Sequence, residues 1–436
     1  MKILVITRSA WDDSNSTGNT MSNLFNEYPI DNIANLYVRS AMPNNCVCKN
    51  YYSISDKDVF RSLFSFNNIA GKAFTREIRK DRSVGSLSKD EIEEDRLYSF
   101  FRRKSFVLAL WGQDLLWRLG NWRNQNLDNF IDQFKPDIIF SPSFHTSYTH
   151  RILWYIQKKT NAKVVLFHAD DYLSIQKKGV SFLEQLNQKT RAKVVESSAL
   201  KADINYCISH LQKEEYQKKI GKKMKLLFKG ADFSVQPEYR LPGEGKPIRI
   251  VYIGSILYGR WKTLSLLAKE ISEINKGKTK FELVIYSQYG LTQEMKDNLI
   301  IEGASVFMGK ISSDQVKYTL MNGDIVLHLE SFDDVEKQKT KLSFSTKIVD
   351  CLNSGRALMA IGWDEAASID YLSKNDAALV ATDSNGISNL LNKIQLNRNI
   401  LREYADKAWN CGVRNHQIDE IQNNLYQELS SLVKED

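Results

Sequence analysis

Two series of short apolar runs, each run separated from the next by a longer amphipathic stretch, constrain this chain more than any other feature. The first series is KILVIT at 2–7, DIIFS at 137–141, KVVLFH at 163–168 and INYCI at 204–208. The second is IRIVYIG at 248–254, FELVIYS at 281–287, DIVLHLE at 324–330 and ALMAIG at 357–362. Apolar runs of strand length alternating with helical stretches predict parallel strands joined by crossover helices. Two such series predict an α/β chain built from two units. Between them lies VQPEYRLPGEGKP, with Pro237, Pro242, Pro247, Gly243 and Gly245, which interrupts regular elements. The predicted domains are therefore 1–235 and 247–412. Helical spacing of Ile418, Ile421, Leu425 and Leu429 predicts a closing helix over 413–436.

Length agrees with this division: 436 residues exceed the ~250–300 at which single cores stop growing. A hydrophobic content of 42% with 26% charged residues excludes a disordered or fibrous chain. The five cysteines show no CxxC spacing and no clustered histidines, so reduced thiols, a cytoplasmic setting and no metal site are expected. The opening MKILVITR is too short for a signal-peptide core, and no apolar run approaches the ~20 residues that span a bilayer. A net charge of +8 favours anionic partners, but no recognition signature for nucleic acid accompanies it.

Residues 55–130 break the strand rhythm and predict a mostly helical insertion. It carries Arg102, Arg103, Lys104 and Arg118 beside Trp111, Trp117 and Trp122. A basic, tryptophan-rich surface suits peripheral contact with an anionic membrane. The alternative is that these tryptophans pack the insertion onto its own domain.

The most informative segment is SFSTKIVDCLNSGRALMAIG at 343–362. Ser345 is a good helix N-cap, Gly355 falls where a left-handed cap would end the helix, and ALMAIG follows as a buried strand. A helix start exposes unpaired amides, so Ser345, Thr346 and Lys347 form a candidate diphosphate cradle. Asp350, one turn deeper, is placed to accept ribose hydroxyls. The alternative is a solvent-exposed Lys347–Asp350 pair on an ordinary amphipathic helix. Upstream, a strand ends in His328 and Glu330 and opens into the long polar loop SFDDVEKQKTKL, as at the carboxyl edge of an α/β sheet where ligands bind.

This segment resembles the donor-binding stretch of GT-B glycosyltransferases, particularly the large retaining glycosyltransferase family 4. That family shows a Lys-x-x-Glu, small residue, Gly, Pro-Val pattern. Lys347 and Gly355 match it, Asp350 replaces Glu, and Arg356-Ala357-Leu358 departs from Pro-Val. The resemblance implies two Rossmann-like domains facing each other across a cleft, with Lys347 on the donor diphosphate and Asp350 on the ribose. Many members carry a further Glu eight positions before the ribose acid. Leu342 stands there, and Glu330 is the candidate substitute.

VYIGSILYGRWKTL at 251–264 resembles the first strand and loop of the donor domain, with Gly254 approaching phosphate and Arg260 or Lys262 clamping it. The alternative is that both cations begin a solvated helix. WDDSNSTGNTMSNL resembles the loop that faces acceptor and donor sugar, with Gly18 and Asn19 as candidates. In FHADD, His168, Asp170 and Asp171 end a strand where a His or acid of such enzymes lies over the bond being broken, and His145 is a second possibility. Asp170 or Asp171 as a helix cap is the competing reading.

The expectation is a metal-independent, cofactor-free, retaining transfer from a nucleoside diphosphate sugar, with uridine as default, to a hydroxyl of a glycan or lipid-linked acceptor. Bacterial surface polysaccharide synthesis at the inner face of the cell membrane fits the resemblance. Two alternatives stand beside it: a sugar-nucleotide epimerase on the same architecture, and a GT-B-like binding subunit without activity.

Overall fold

A parallel strand inside a sheet is covered on both faces, so its sequence is continuously apolar rather than alternating. This physical rule accounts for the central strands Ile3–Thr7 and Ile138–Pro142 of the first sheet and Ile325–Leu329 and Ala357–Ile361 of the second. The computed structural model describes residues 1–64, 69–76, 107–174, 181–243 and 245–434. The chain divides into two units: residues 1–208, 213–227 and 422–436 form the first, and residues 209–212 and 228–421 form the second. It thus passes between units upstream of the proline-rich stretch 235–247, which belongs to the second.

The first unit holds an eight-stranded sheet made of β1 (Ile3–Thr7), β2 (Ile33–Tyr37), β3 (Asn50–Ser53), β4 (Lys72–Thr75), β5 (Ile138–Pro142), β6 (Lys163–His168), β7 (Ile204–Cys207) and β8 (Lys225–Leu226). Their order is β4-β3-β2-β1-β5-β6-β7-β8, parallel except for the antiparallel edge pair β3–β4. Every residue of β1, β2 and β5 is buried. The second unit holds β9 (Ile248–Ile253), β10 (Phe281–Tyr286), β11 (Ser305–Gly309), β12 (Ile325–Leu329), β13 (Ala357–Ile361) and β14 (Leu379–Ala381) in the order β11-β10-β9-β12-β13-β14, all parallel. This is a doubly wound sheet whose winding reverses between β9 and β12, and the first unit reverses likewise between β1 and β5. Loops at the carboxyl ends of those strand pairs flank a crevice in each sheet.

The insertion is not purely helical. Among its described residues it contains β4 as well as helices Asp56–Arg61, Val107–Leu119 and Gln125–Phe134. Arg102, Arg103 and Lys104 lie outside the described residues. Trp117 and Trp122 are buried: the Trp117 ring stacks on Tyr148 at 4.5 Å, and Trp122 Nε1 donates to the Trp117 carbonyl at 2.7 Å. These two tryptophans pack the insertion onto its own unit, whereas Arg118 is exposed. No helix among the described residues is long and apolar enough to cross a membrane.

The predicted closing segment is two helices, Ile400–His416 and Ile418–Lys434, broken at Gln417. The second returns to the first unit, where Leu425 and Leu429 are buried, Gln422 donates to the Asn23 carbonyl at 2.6 Å, and Glu428 accepts from the Tyr206 hydroxyl and pairs with Lys225 at 3.0 Å. Leu429 has no exposed surface, so Leu429→Ala should cost about 2–5 kcal/mol. Urea unfolding followed by tryptophan fluorescence checks this, with the first unit expected to unfold at lower denaturant.

Candidate functional site

The carboxyl edge of the second sheet collects most of the expected residues. Strand β9 ends at Ile253, and a Cβ on Gly254 would overlap the Tyr252 ring, whose hydroxyl donates to the Ser255 carbonyl at 2.7 Å. The following loop turns through two left-handed residues, Tyr258 at φ 55° and Gly259 at φ 70°. Left-handed backbone is costly for a tyrosine. At Gly259 a side chain would also overlap the Ser331 hydroxyl. This turn delivers Arg260 as the first residue of helix Arg260–Ile274.

Arg260 meets Glu330, the residue directly after β12. Its Nη2 donates to both carboxylate oxygens at 3.0 and 2.9 Å and its Nε to Oε2 at 3.2 Å. Glu330 is only 1% exposed. Its carbonyl accepts from Thr263 Oγ1 at 3.0 Å, and its Oε1 accepts from the Ser368 hydroxyl at 3.4 Å. Burial pushes the Glu330 carboxyl up against the opposing pull of the guanidinium; on Arg260 burial acts downward, but Glu330 together with Tyr252 and Tyr258 more than offsets it and raises the pKa. Among the described residues Arg260 Nη1 makes no hydrogen bond. His328 lies beside this pair, its Nε2 3.6 Å from Glu330 Oε1, beyond hydrogen-bond reach. Burial, reinforced by Arg260, lowers its pKa to about 3, so the imidazole is neutral and the contact is no ion pair.

The helix after the polar loop spans Lys347–Leu352, shorter at both ends than expected. Thr346 occupies the cap position, no side chain caps the first turn, and the Ile348 amide donates to the Ser345 carbonyl at 3.0 Å. Ser345 therefore does not act as a side-chain cap. Lys347 is exposed and, among the described residues, forms no hydrogen bond or salt bridge. Surrounding protein still strips part of its hydration, which lowers its pKa; Asp350 opposes that shift, and Arg260 and Lys229 add to it. Asp350 is held by Lys229, Nζ to Oδ1 at 3.0 Å, rather than by Lys347. Lys229 escapes a reading of spacing because it stands 121 positions away. Gly355 has φ +66°, and a Cβ there would press within 2.8 Å of the Pro237 carbonyl. Arg356, where the family pattern has Pro, donates to the carbonyls of Met321 and Glu238, both at 2.8 Å. Lys262 reaches Asp333 at 3.1 Å on an exposed surface, and Leu342 is buried.

The remaining expected residues lie in the first unit. A Cβ on Gly18 would overlap the Asp12 carbonyl, and the Gly18 amide caps onto Asn15 Oδ1 at 2.8 Å, so this glycine lets the loop after β1 fold over the helix Ser16–Phe25. Asn19 is exposed on that helix. His168 has no exposed surface; Nε2 lies 3.1 Å from Asn205 Oδ1, and burial lowers its pKa to about 4. It is a packing residue of β6, out of contact with solvent. Asp171 does not cap a helix: it accepts from the Leu173 and Ser174 amides and the Tyr216 hydroxyl, fixing the turn after β6. Asp170 is exposed in that turn, and its carboxylate accepts from the Tyr172 hydroxyl at 3.1 Å. His145 packs against the Tyr172 ring at 4.9 Å.

No known protein-family profile matches the sequence, and no curated protein matches it significantly. Solved structures do. Anabaena HepE in complex with UDP is similar over 99% of this chain and 100% of that one, with a TM-score of 0.64 at 11% identity. The fold is GT-B. Sucrose-phosphate synthase from Thermosynechococcus elongatus matches over 100% of both chains with a TM-score of 0.60 at 11% identity. A variant of S. aureus TarM, in complex with fondaparinux, alpha-GlcNAc-glycerol and UDP, matches over 98% of this chain and 100% of that one, with a TM-score of 0.62 at 9% identity. The two doubly wound units are thus the two domains of the GT-B architecture.

Within that architecture the Arg260–Glu330 pair is a structural commitment as well as a site feature. Arg260→Ala leaves Glu330 as an unpaired buried acid and should cost about 3–5 kcal/mol, measured by chemical denaturation. The buried histidines give a pH signature. His168 and His328 titrate near 4 and 3 when folded, against about 6.5 for an unperturbed histidine. The unfolded chain therefore binds more protons below pH ~6.5, and stability should be full above that value and fall as pH drops toward 4. Urea midpoints across this range check the slope, which should flatten in His168→Asn.

Proposed function

We propose that this protein transfers a glycosyl group from a uridine diphosphate sugar to a hydroxyl of a glycan or lipid-linked acceptor. The observation that carries the reading is Lys347: an exposed ammonium with no salt bridge among the described residues, within the electrostatic influence of Arg260, at the carboxyl edge of a doubly wound sheet. The shared fold with Anabaena HepE, solved with UDP-glucose, supports the same donor class. Lys347 and the spare Nη1 of Arg260 stabilise the diphosphate as negative charge develops on the leaving group. Two cations there do the work that a metal ion does elsewhere, which makes the transfer metal-independent in this reading. Glu330 acts by orienting Arg260. Lys229 fixes one oxygen of Asp350 and leaves the other for a ribose hydroxyl.

On the acceptor side, Asp170 is the candidate base: it keeps solvent access, yet surrounding protein strips part of its hydration and raises its pKa, with the Tyr172 hydrogen bond opposing, which raises its proton affinity. Retention of configuration, a place in bacterial surface polysaccharide synthesis, and peripheral contact with the inner face of the membrane complete the proposal. One observation favours the binding-subunit alternative: Leu342 replaces an acid and Glu330 is fully engaged by Arg260. Consumption of UDP-sugar in the presence of an acceptor panel separates the two.

Lys347→Ala should weaken UDP binding by about 1.5–3 kcal/mol, the worth of hydrogen bonds to charged groups. Isothermal titration of UDP into both proteins reads this, and equal affinities would contradict the assignment.

A further inference from the structure

The first unit contains a groove of about 1090 Å³, with His145 at its lining, that the donor-binding residues discussed above do not use. That volume lies just above the ~300–1,000 Å³ typical of small-molecule sites. Three helices wall it: Val107–Leu119, Ser147–Thr160 and Phe182–Lys201. Their cross-ties are specific. Arg151 Nη2 donates to Asp114 Oδ1 at 3.0 Å, His150 Nδ1 lies 2.7 Å from Ser198 Oγ, and Trp154 Nε1 donates to the same hydroxyl at 3.0 Å. The groove lining includes both ends of the 14-residue helix Ser147–Thr160. At 1.5 Å per residue that track is about 21 Å long, longer than one sugar or nucleotide requires.

Its charge is lopsided. Eight arginines and lysines line it against one acid, Asp114, which already binds Arg118 and Arg151. Lys159 is occupied by Asp128 and Asp132. Among the described residues Arg123, Lys158, Arg191, Lys193 and Lys201 have no carboxylate within salt-bridge distance. Five uncompensated cations on one concave surface repel one another, and an anionic occupant relieves that repulsion. Burial lowers the Arg191 pKa, with Glu184 opposing and Arg8 adding to the shift.

Aromatic rings lie between the cations. Trp154 and Tyr155 are half-buried, with the Lys201 ammonium 5.6 Å over the first ring and the Arg123 guanidinium 6.0 Å over the second. Single-stranded nucleic acid needs open ring faces for its bases to stack on. Here a cation stands over one face of each of these two rings, so stacking surface is reduced while positive charge is kept, a combination suited to acidic groups carried on saccharide rings. Arg123, Lys158, Lys193 and Lys201 are exposed, but they line a concavity walled by three helices, a shape that a planar lipid surface does not fill.

We propose that this groove binds a segment of an acidic saccharide chain. His145 and Arg191 place one end of it close to the turn after β6, since His145 packs on Tyr172 and Tyr172 contributes to the field at Arg191. A chain lying along helix Ser147–Thr160 therefore leads away from the acceptor-side carboxyl edge. This rests on the glycosyltransferase reading and deepens it: the acceptor is an anionic glycan longer than a disaccharide, held by charge remote from the bond being made.

The test titrates the full-length protein with hexameric oligogalacturonate, maltohexaose, short oligothymidylate and phosphatidylglycerol vesicles. Lys158 and Lys193 are both exposed, so Lys158→Glu/Lys193→Glu should fold normally. The expected result is oligogalacturonate binding that weakens with salt and falls about tenfold or more in the double variant, with UDP affinity unchanged. Equal oligogalacturonate affinity in the two proteins, equally tight maltohexaose, or tighter oligothymidylate or vesicle binding would overturn the proposal. UDP titration reads the second unit, so its failure would strike the donor reading and leave the oligogalacturonate result standing.

Discussion

The buried Arg260–Glu330 ion pair organises the carboxyl edge of the second sheet. Glu330 leaves β12 and Arg260 leaves the loop after β9, so their bidentate contact joins the two strands at which the second sheet reverses its winding. A carboxylate that is 1% exposed must be closely compensated, or its desolvation would drive it to protonate. Compensation requires the guanidinium to arrive at one place, which in turn requires the left-handed Tyr258 and Gly259. Strain in the loop, packing of Gly259 on Ser331 and orientation of Arg260 are therefore parts of one arrangement.

Around that pair the charges are of two kinds. Lys229–Asp350 and Arg260–Glu330 are matched and fix geometry. Among the described residues Lys347 forms no salt bridge, and only the charge of Asp350 acts on it from the acidic side. In the first unit the same distinction separates Arg151 and Lys159, which are paired, from Lys158, Lys193 and Lys201, which form no salt bridge among the described residues. Unmatched cations on otherwise paired surfaces are where the molecule's net positive charge becomes chemically specific.

The strands legible in the sequence were those with continuous apolar runs, which became β1, β5, β6, β7, β9, β10, β12 and β13. Those missed have physical reasons. Strand β2 carries Asn35 in its middle, a polar residue tolerated because its amide donates to the Val5 carbonyl and Thr7 hydroxyl, both at 2.9 Å. Strand β11 is a partly exposed edge, and β8 and β14 hold two and three residues, too few to show a pattern. Strand β4 pairs antiparallel at the other edge and is largely exposed, so it reads as an interruption.

The sequence by itself determined the class of fold and the segment around Lys347, because burial on both faces of a parallel sheet and the turn at Gly355 leave marks in neighbouring residues. Only the tertiary structure decided how those groups are paired. Lys229 meets Asp350 and Arg260 meets Glu330 across long separations in the chain, and His168 is enclosed by residues distant from it in sequence. Burial and charge compensation are properties of position in space, which local spacing does not encode.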